Sequence, residues 1–366
     1  MKAWVTEATG LRTLRWPAAL LGLAAGLYLL GPRNAFGPDM PAGRAPPPAA
    51  LALLDGWLAQ QEARQPDLRP GNAKGIVWAD GRQARTPWSV VYLHGFSASR
   101  LENAPLAEQV AQALGANLFH TRLTGHGRSA PAALAEASVQ DWLADTLEAL
   151  RIGQLLGERV LLIGCSTGAT LATWLALRPQ GQAVAAQVFL SPNFGPRDRR
   201  SNLINAPWGR QIALAVQGET RSWQPVDPRE ALAWTTRYPT RALFPMMALV
   251  ERVRRADMRA FRTPVLMLYS ERDQTVDPQR TREVFARIAS PEKKTIVVDY
   301  SESTGQHVLA GDIVAPKATA PMVKSIVSWV RALSQCAPPP APPPIARVGA
   351  ANQITPTSST NTIEVK

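Results

Sequence analysis

Cysteine is almost missing from this chain, and histidine is scarce. The 366 residues hold two cysteines, Cys165 and Cys336, and four histidines. Two cysteines do not make a disulfide framework. Cys336 stands at the head of a proline-rich tail, so a bridge to Cys165 is not expected. No cluster of Cys and His has metal-ligand spacing, and no glycine-rich phosphate loop occurs. The expected chemistry therefore uses neither metal nor cofactor. Acidic side chains are also in deficit. Lys and Arg number 40 against 28 Asp and Glu, a formal charge of +12. The arginines are scattered and form no stripe with aromatics, so nucleic acid is not the expected partner. The surplus suits an anionic membrane surface, or reflects a bias towards Ala, Arg and Pro.

What is present is organised from the N-terminus onward. Residues 1–15 are a basic segment, with Lys2, Arg12 and Arg15 against Glu7. Residues 16–31 carry no charge. They read as a transmembrane anchor at the short end of bilayer-spanning length, or as the apolar region of a cleaved secretory signal. No small-x-small cleavage site is obvious after them, which favours the anchor. The positive residues before them then place the catalytic domain on the extracytoplasmic side. Signal cleavage would instead make the protein secreted or periplasmic. Residues 32–48, rich in Pro, Gly and Ala, read as a linker. Residues 49–64 predict an amphipathic helix with Leu51, Leu54 and Leu58 on one face.

From residue 76 onward strands alternate with helices at short intervals. Strands are predicted at 76–78, 88–93, 116–119, 160–163, 184–190, 264–269 and 294–298, with helices at 104–114, 139–156 and 322–333. This rhythm predicts an α/β fold with a doubly wound, mostly parallel sheet. Residues 193–262 break it with Trp208, Trp223, Trp234, Tyr238 and many arginines, and read as an inserted helical cap. The folded domain spans 49–333, and residues 334–366 read as a Pro-rich, then Ser/Thr-rich, disordered tail.

The stretch Gly164-Cys165-Ser166-Thr167-Gly168 joins a buried strand to a helix. This Gly-x-Ser-x-Gly turn is the form of a nucleophile elbow, which pushes a serine hydroxyl out at the strand's end. Ser166 occupies the exposed position, and Cys165 falls one place early, as a small buried filler. A serine nucleophile needs a base, and the base needs an acid. In this chain order both lie downstream. Of His94, His120, His126 and His307, only His307 follows Ser166. The acid is Asp273, after the strand ending at Tyr269. Asp277, Glu271 and Asp299 are alternatives, Asp277 doubling as a helix N-cap before Pro278. The oxyanion needs two backbone donors. The Thr167 amide supplies one, and the Phe96 amide in His94-Gly95-Phe96 the other. His94 is then a structural hydrogen-bonding residue.

Taken together, several segments resemble the α/β-hydrolase superfamily, and within it bacterial carboxylesterases and monoacylglycerol lipases. They are His94-Gly95-Phe96-Ser97, Arg122-Leu123-Thr124-Gly125-His126-Gly127, the elbow, residues 264–276 and Gln306-His307-Val308. The resemblance spans about residues 75–333. It implies ester hydrolysis through an acyl-enzyme, with Ser166 as nucleophile, His307 as base and Asp273 as acid. It also implies an oxyanion hole at Phe96 and Thr167. Thr124 replaces the family's usual Pro before Gly-His-Gly, and Gly168-Ala169 replaces a commoner Gly-Gly. The expected substrate is a small hydrophobic acyl ester. The same site would also serve an acyltransferase, an amide hydrolase or a C–C bond hydrolase, and a non-enzymatic anchored protein could retain the scaffold.

Overall fold

A computed structural model describes residues 15–336. The basic segment, apart from Arg15, and the tail from residue 337 lie outside the described residues. The centre is a seven-stranded sheet in the order β1-β3-β2-β4-β5-β8-β9. Its strands are β1 (Gly75–Val77), β2 (Thr86–Leu93), β3 (Asn117–His120), β4 (Gly157–Cys165), β5 (Val184–Leu190), β8 (Val265–Tyr269) and β9 (Lys293–Val297). Strand β1 runs antiparallel to β3, and the remaining pairs are parallel. This is the expected α/β architecture.

The apolar runs explain why the sheet is covered on both sides. Alternate residues of a strand point to opposite faces. Val91, Leu93, Val160, Leu162, Phe189 and Met267 belong to one core cluster. Their neighbours Val90, Tyr92, Leu161, Ile163, Val188 and Leu268 belong to another. The first cluster takes in α2 (Leu54–Ala63), α4 (Val139–Leu156), α5 (Thr167–Ala176) and α8 (Leu243–Arg254). The second takes in α3 (Leu106–Leu114) and α10 (Pro316–Cys336). Each fully buried aliphatic side chain contributes roughly 1.5–3 kcal/mol. A charge at Leu162, which is 0% exposed, would therefore break the site's support. Helix α4 starts at a capping box. The Ser138 hydroxyl accepts from the Asp141 amide at 3.2 Å, and the Asp141 carboxylate accepts from the Ser138 amide at 2.9 Å.

The cap interrupts the sheet between β5 and β8. It holds α6 (Gly209–Gln217), the hairpin β6 (Thr220–Ser222) and β7 (Arg237–Pro239), the short α7 (Glu230–Ala233) between them, and α8. Helix α9 (Pro278–Arg287) follows β8.

At the N-terminus, α1 covers Arg15–Leu29, and Gly31-Pro32 ends it. Its 15 residues give a length of about 22 Å, against a hydrocarbon core of about 30 Å. Among the described residues no helix is long and apolar enough to cross a membrane. The spanning anchor expected at 16–31 is thus not supported, because the uncharged run outlasts the helix. Beyond it, residues 32–48 lack regular structure but are pinned to the protein. The Asn34 amide donates to Asn205 Oδ1 at 2.8 Å and to the Phe244 carbonyl at 2.7 Å. Arg252 grips Asp39, and Arg44 bonds the buried Asp145. The segment therefore has a linker's composition and a strap's contacts.

Candidate active site

Strand β4 delivers Ser166 to the C-terminal edge of the sheet. Its backbone has φ 51° and ψ −113°, a strained conformation for a residue with a side chain. The turn is held by the Ser166 amide donating to the Leu190 carbonyl at 2.9 Å. The flanking glycines are needed for space. A β-carbon at Gly168 would stand 2.0 Å from the Leu93 carbonyl oxygen. Helix α5 then begins directly after Ser166, so its positive dipole end faces the hydroxyl.

The loop before α10 brings His307 back over this turn. Gln306, at φ 52°, knits that loop together. Its amide donates to the Ser301 and Ser303 carbonyls, and its oxygen accepts from the Ser270 hydroxyl at 3.0 Å. His307 Nε2 lies 3.0 Å from Ser166 Oγ, and its Nδ1 lies 2.8 Å from Asp273 Oδ2. Asp273 is 1% exposed. Its other oxygen accepts from the Thr275 and Val276 amides at 2.8 and 2.9 Å. Hydroxyl, imidazole and carboxylate thus form one hydrogen-bonded row, which can draw a proton from the hydroxyl and stabilise the cation formed. Burial pushes the His307 imidazole down, but Asp273 by charge and hydrogen bond, and Glu102 by charge, raise it, and the net shift is upward.

The other candidate acids are occupied elsewhere. Asp277 caps α9 by accepting from the Gln279 amide at 3.0 Å, and pairs with Arg199. Glu271 pairs with Arg282 and the Tyr269 hydroxyl. Asp299 offers its backbone carbonyl to Arg272. His94 is buried. Its Nε2 accepts from the Leu123 amide at 3.0 Å, leaving Nδ1–H to donate to the Gly95 carbonyl. Burial pushes its pKa down to about 4, so it stays neutral. It ties the Gly95 loop to the Arg122–Gly127 loop. Cys165 is buried and its thiol is raised well above its usual value by that burial, which leaves it protonated.

The Thr167 amide directly follows Ser166, and the Phe96 amide follows Gly95, which packs against Ser166; among the described residues neither donates to a protein acceptor. Phe96 packs edge-on against Tyr238 of the cap at 5.6 Å, and against Trp142 and His126. The Thr235 amide donates to the Ser97 carbonyl at 2.6 Å, and Trp234 packs with Ala98 and Val308. The cap thus closes down on the loops that carry Phe96 and His307, and Ser166 is only 8% exposed. A wide groove of about 1970 Å³ lies instead at the N-terminal ends of the strands, lined by Trp88, Arg159 and Trp329. It touches none of the site residues.

One buried residue escaped the sequence reading. Glu102, 2% exposed, accepts from the Gly95 amide at 2.7 Å and from the Tyr92 hydroxyl at 2.9 Å. Its polar neighbours in the chain gave no sign that it is buried.

A parallel sheet, a strained serine at the strand-to-helix turn and a histidine–aspartate pair after the later strands define an α/β hydrolase. The family model described as serine aminopeptidase, S33, matches residues 84–302, and the chain belongs to that family. No curated protein matches the sequence. Solved structures share the fold. A structure from work on the metagenome-derived lipolytic enzymes LipS and LipT aligns at TM-score 0.57 and 22% identity, over 73% of this chain and 100% of that one. A soluble variant of the Saccharomyces cerevisiae monoglyceride lipase, in complex with a substrate analog, aligns at 0.54 and 14%, over 72% and 92%. The Paleococcus ferrophilus monoacylglycerol lipase aligns at 0.52 and 18%, over 71% and 98%.

Proposed function

We propose that the protein is a serine esterase of the lipase-like type, cleaving carboxylic esters with a hydrophobic acyl group. The observation that carries this reading is the Ser166–His307–Asp273 row; we read the apolar cap contacts on its flanking loops, Tyr238 on Phe96 and Trp234 with Val308, as an apolar wall for the acyl group. Such a wall suits an alkyl or aryl group and offers no partner to a charged one. The cap's charge points the same way. Residues 193–262 contain thirteen arginines and six acids. A peptide N-terminus is an ammonium, and this environment repels it. Ester cleavage is therefore favoured over aminopeptidase action. The lipase names among the structural relatives agree with ester substrates.

In this mechanism Ser166 Oγ attacks the carbonyl carbon while His307 Nε2 takes its proton. The tetrahedral oxyanion accepts from the Phe96 and Thr167 amides. Collapse expels the alcohol, which leaves with the proton from His307. Water then attacks the acyl-enzyme with His307 as base, releasing the acid and restoring Ser166. An alcohol in place of water gives acyl transfer, so products formed with an added alcohol separate hydrolase from transferase.

We further read α1 as a membrane-associating segment, with the catalytic domain extracytoplasmic. Leu21, Leu23, Leu29 and Leu30 on it and just beyond it are exposed, at 72%, 60%, 62% and 86%. Leaving so much apolar surface in water is costly. Cell fractionation, with sequencing of the mature N-terminus, tests attachment and cleavage together.

The enzyme reading is tested with a fluorophosphonate probe and p-nitrophenyl esters of rising chain length. Wild type should label and turn over, and Ser166→Ala should do neither. Equal labelling of both proteins would defeat it.

A further inference from the structure

Glu102 is the one buried carboxyl at the site that the proposed chemistry does not use. It lies between β2 and α3 and reaches back to the Gly95 peptide just after β2. Its Oε1 accepts from the Gly95 amide at 2.7 Å, one residue before the Phe96 amide. The same oxygen accepts from the Tyr92 hydroxyl at 2.9 Å, which in turn accepts from Asn103 Nδ2 at 2.9 Å. Gly95 is clamped between this carboxyl and the serine. A β-carbon there would stand 2.9 Å from Glu102 Oε2 and 3.3 Å from Ser166 Cβ.

We propose that Glu102 is a positioning residue, which fixes the Gly95 peptide against Ser166 so that the Phe96 amide is held ready for the oxyanion. The proposal rests on the esterase reading and deepens it. A glycine peptide clamped by nothing would sample other orientations, because glycine has the widest backbone freedom. A donor held in place in advance costs no reorganisation when the oxyanion forms.

The groups facing Glu102 are few. Tyr92 comes from β2, Cys165 from β4 and His307 from the loop before α10. Tyr92 and Cys165 are both raised well above their usual values, by burial first and then by the charge of Glu102, so they remain neutral. His307 is the cation that faces the carboxyl, and each acts on the other. Burial raises Glu102 to about 7, against the pull of the Gly95 and Tyr92 hydrogen bonds and the His307 charge. It therefore ionises in the same range as the imidazole, and its charge raises His307.

The test compares Glu102→Gln and Glu102→Ala in the full chain, by pH–rate profile with p-nitrophenyl butyrate. Glutamine keeps the acceptor for Gly95 and Tyr92 but removes the charge. Its kcat at pH 9 should fall less than the alanine variant's, and its acid limb should move to lower pH. Alanine removes both, and kcat should fall roughly 10- to 100-fold with KM little changed, because oxyanion donors act in the transition state. If alanine does not fold, Glu102→Asp decides: it keeps the charge but withdraws the acceptor from the Gly95 amide, so its kcat should fall below the glutamine variant's. An alanine variant with wild-type kcat, or an aspartate variant no slower than the glutamine variant, overturns the proposal. Fluorophosphonate labelling of wild type separates the two claims. Failure to label would sink the esterase reading, whereas labelled wild type with unaffected Glu102 variants sinks only this one.

Discussion

Asp273 and His307 stand 34 positions apart in the chain and meet through one 2.8 Å hydrogen bond between Oδ2 and Nδ1. The other Asp273 oxygen accepts from two backbone amides, which hold the carboxylate independently of the imidazole. Asp277 spends its side chain on capping α9 and on Arg199.

The two aspartates should therefore behave differently when amidated. Asp273→Asn leaves the shape but offers Nδ1 the wrong partner, and kcat should fall by roughly 10³- to 10⁴-fold. Asp277→Asn keeps a capping side chain, so kcat should stay within about twofold and stability within about 1 kcal/mol. Steady-state rates with p-nitrophenyl acetate, alongside thermal melts, check both. Comparable losses of kcat in the two would reassign the acid.

The pH profile follows from the same pair. In the proposed mechanism attack by Ser166 needs neutral His307, and the imidazole is raised above its ordinary 6.5. Activity should therefore fall on the acid side through a midpoint above 6.5. The linkage to stability runs the other way. A histidine raised by its partners contributes stability fully present below 6.5 and lost as pH rises through the folded value. In Asp273→Asn the carboxylate is gone, so the acid limb of the residual activity should move down. A wild-type limb below 6.5 would contradict this account of His307.

The elbow was readable because its chemistry is local. Two glycines, an apolar run before them and an apolar run after them state the strand, the turn and the helix within a dozen residues. His307 was readable by scarcity, since no other histidine follows Ser166. The parts that escaped depend on tertiary contact. Glu102 has an ordinary polar neighbourhood in sequence, and only the return of the loop beneath Gly95 buries it. The strap at 32–48 has the composition of a linker, and its hold on Asn205, Phe244 and Arg252 involves residues about 170 to 210 positions away. The length of α1 was misjudged because apolarity was counted through Leu30 and Gly31, whereas the helix stops at Leu29.

A buried ion pair joins α2 to the loop beside the site. Arg122 Nε and Nη2 donate to the two Glu62 oxygens at 2.7 and 2.8 Å. Both side chains are buried, at 6% and 7% exposed. Removing one partner strands the other charge in a low-dielectric setting, which costs about 3–5 kcal/mol. Glu62→Gln should lower the unfolding midpoint in urea, while activity per folded molecule is kept at low denaturant. The unpaired Arg122 is the cause, so Glu62→Met with Arg122→Met should recover part of the loss. No change in the midpoint on Glu62→Gln would mean that solvent reaches the pair.

Tyr238 offers the most direct reading of the substrate. Its ring stands edge-on to Phe96 at 5.6 Å and is 8% exposed, so it fills space beside the proposed oxyanion donor. An acyl chain entering along the apolar wall must pass it. Tyr238→Ala should open that space and improve longer chains relative to short ones. A few methylenes of added contact are worth a few kcal/mol at most. The ratio of kcat/KM for p-nitrophenyl octanoate to that for the acetate should rise by roughly tenfold. Tyr238→Phe keeps the ring and should keep the wild-type ratio, which separates space from the hydroxyl. Loss of the ring also leaves a cavity, so the alanine variant should melt earlier. The ratio is unaffected by that, because both substrates are measured on the same folded fraction. An alanine variant with an unchanged ratio would place the acyl group on another side of Ser166.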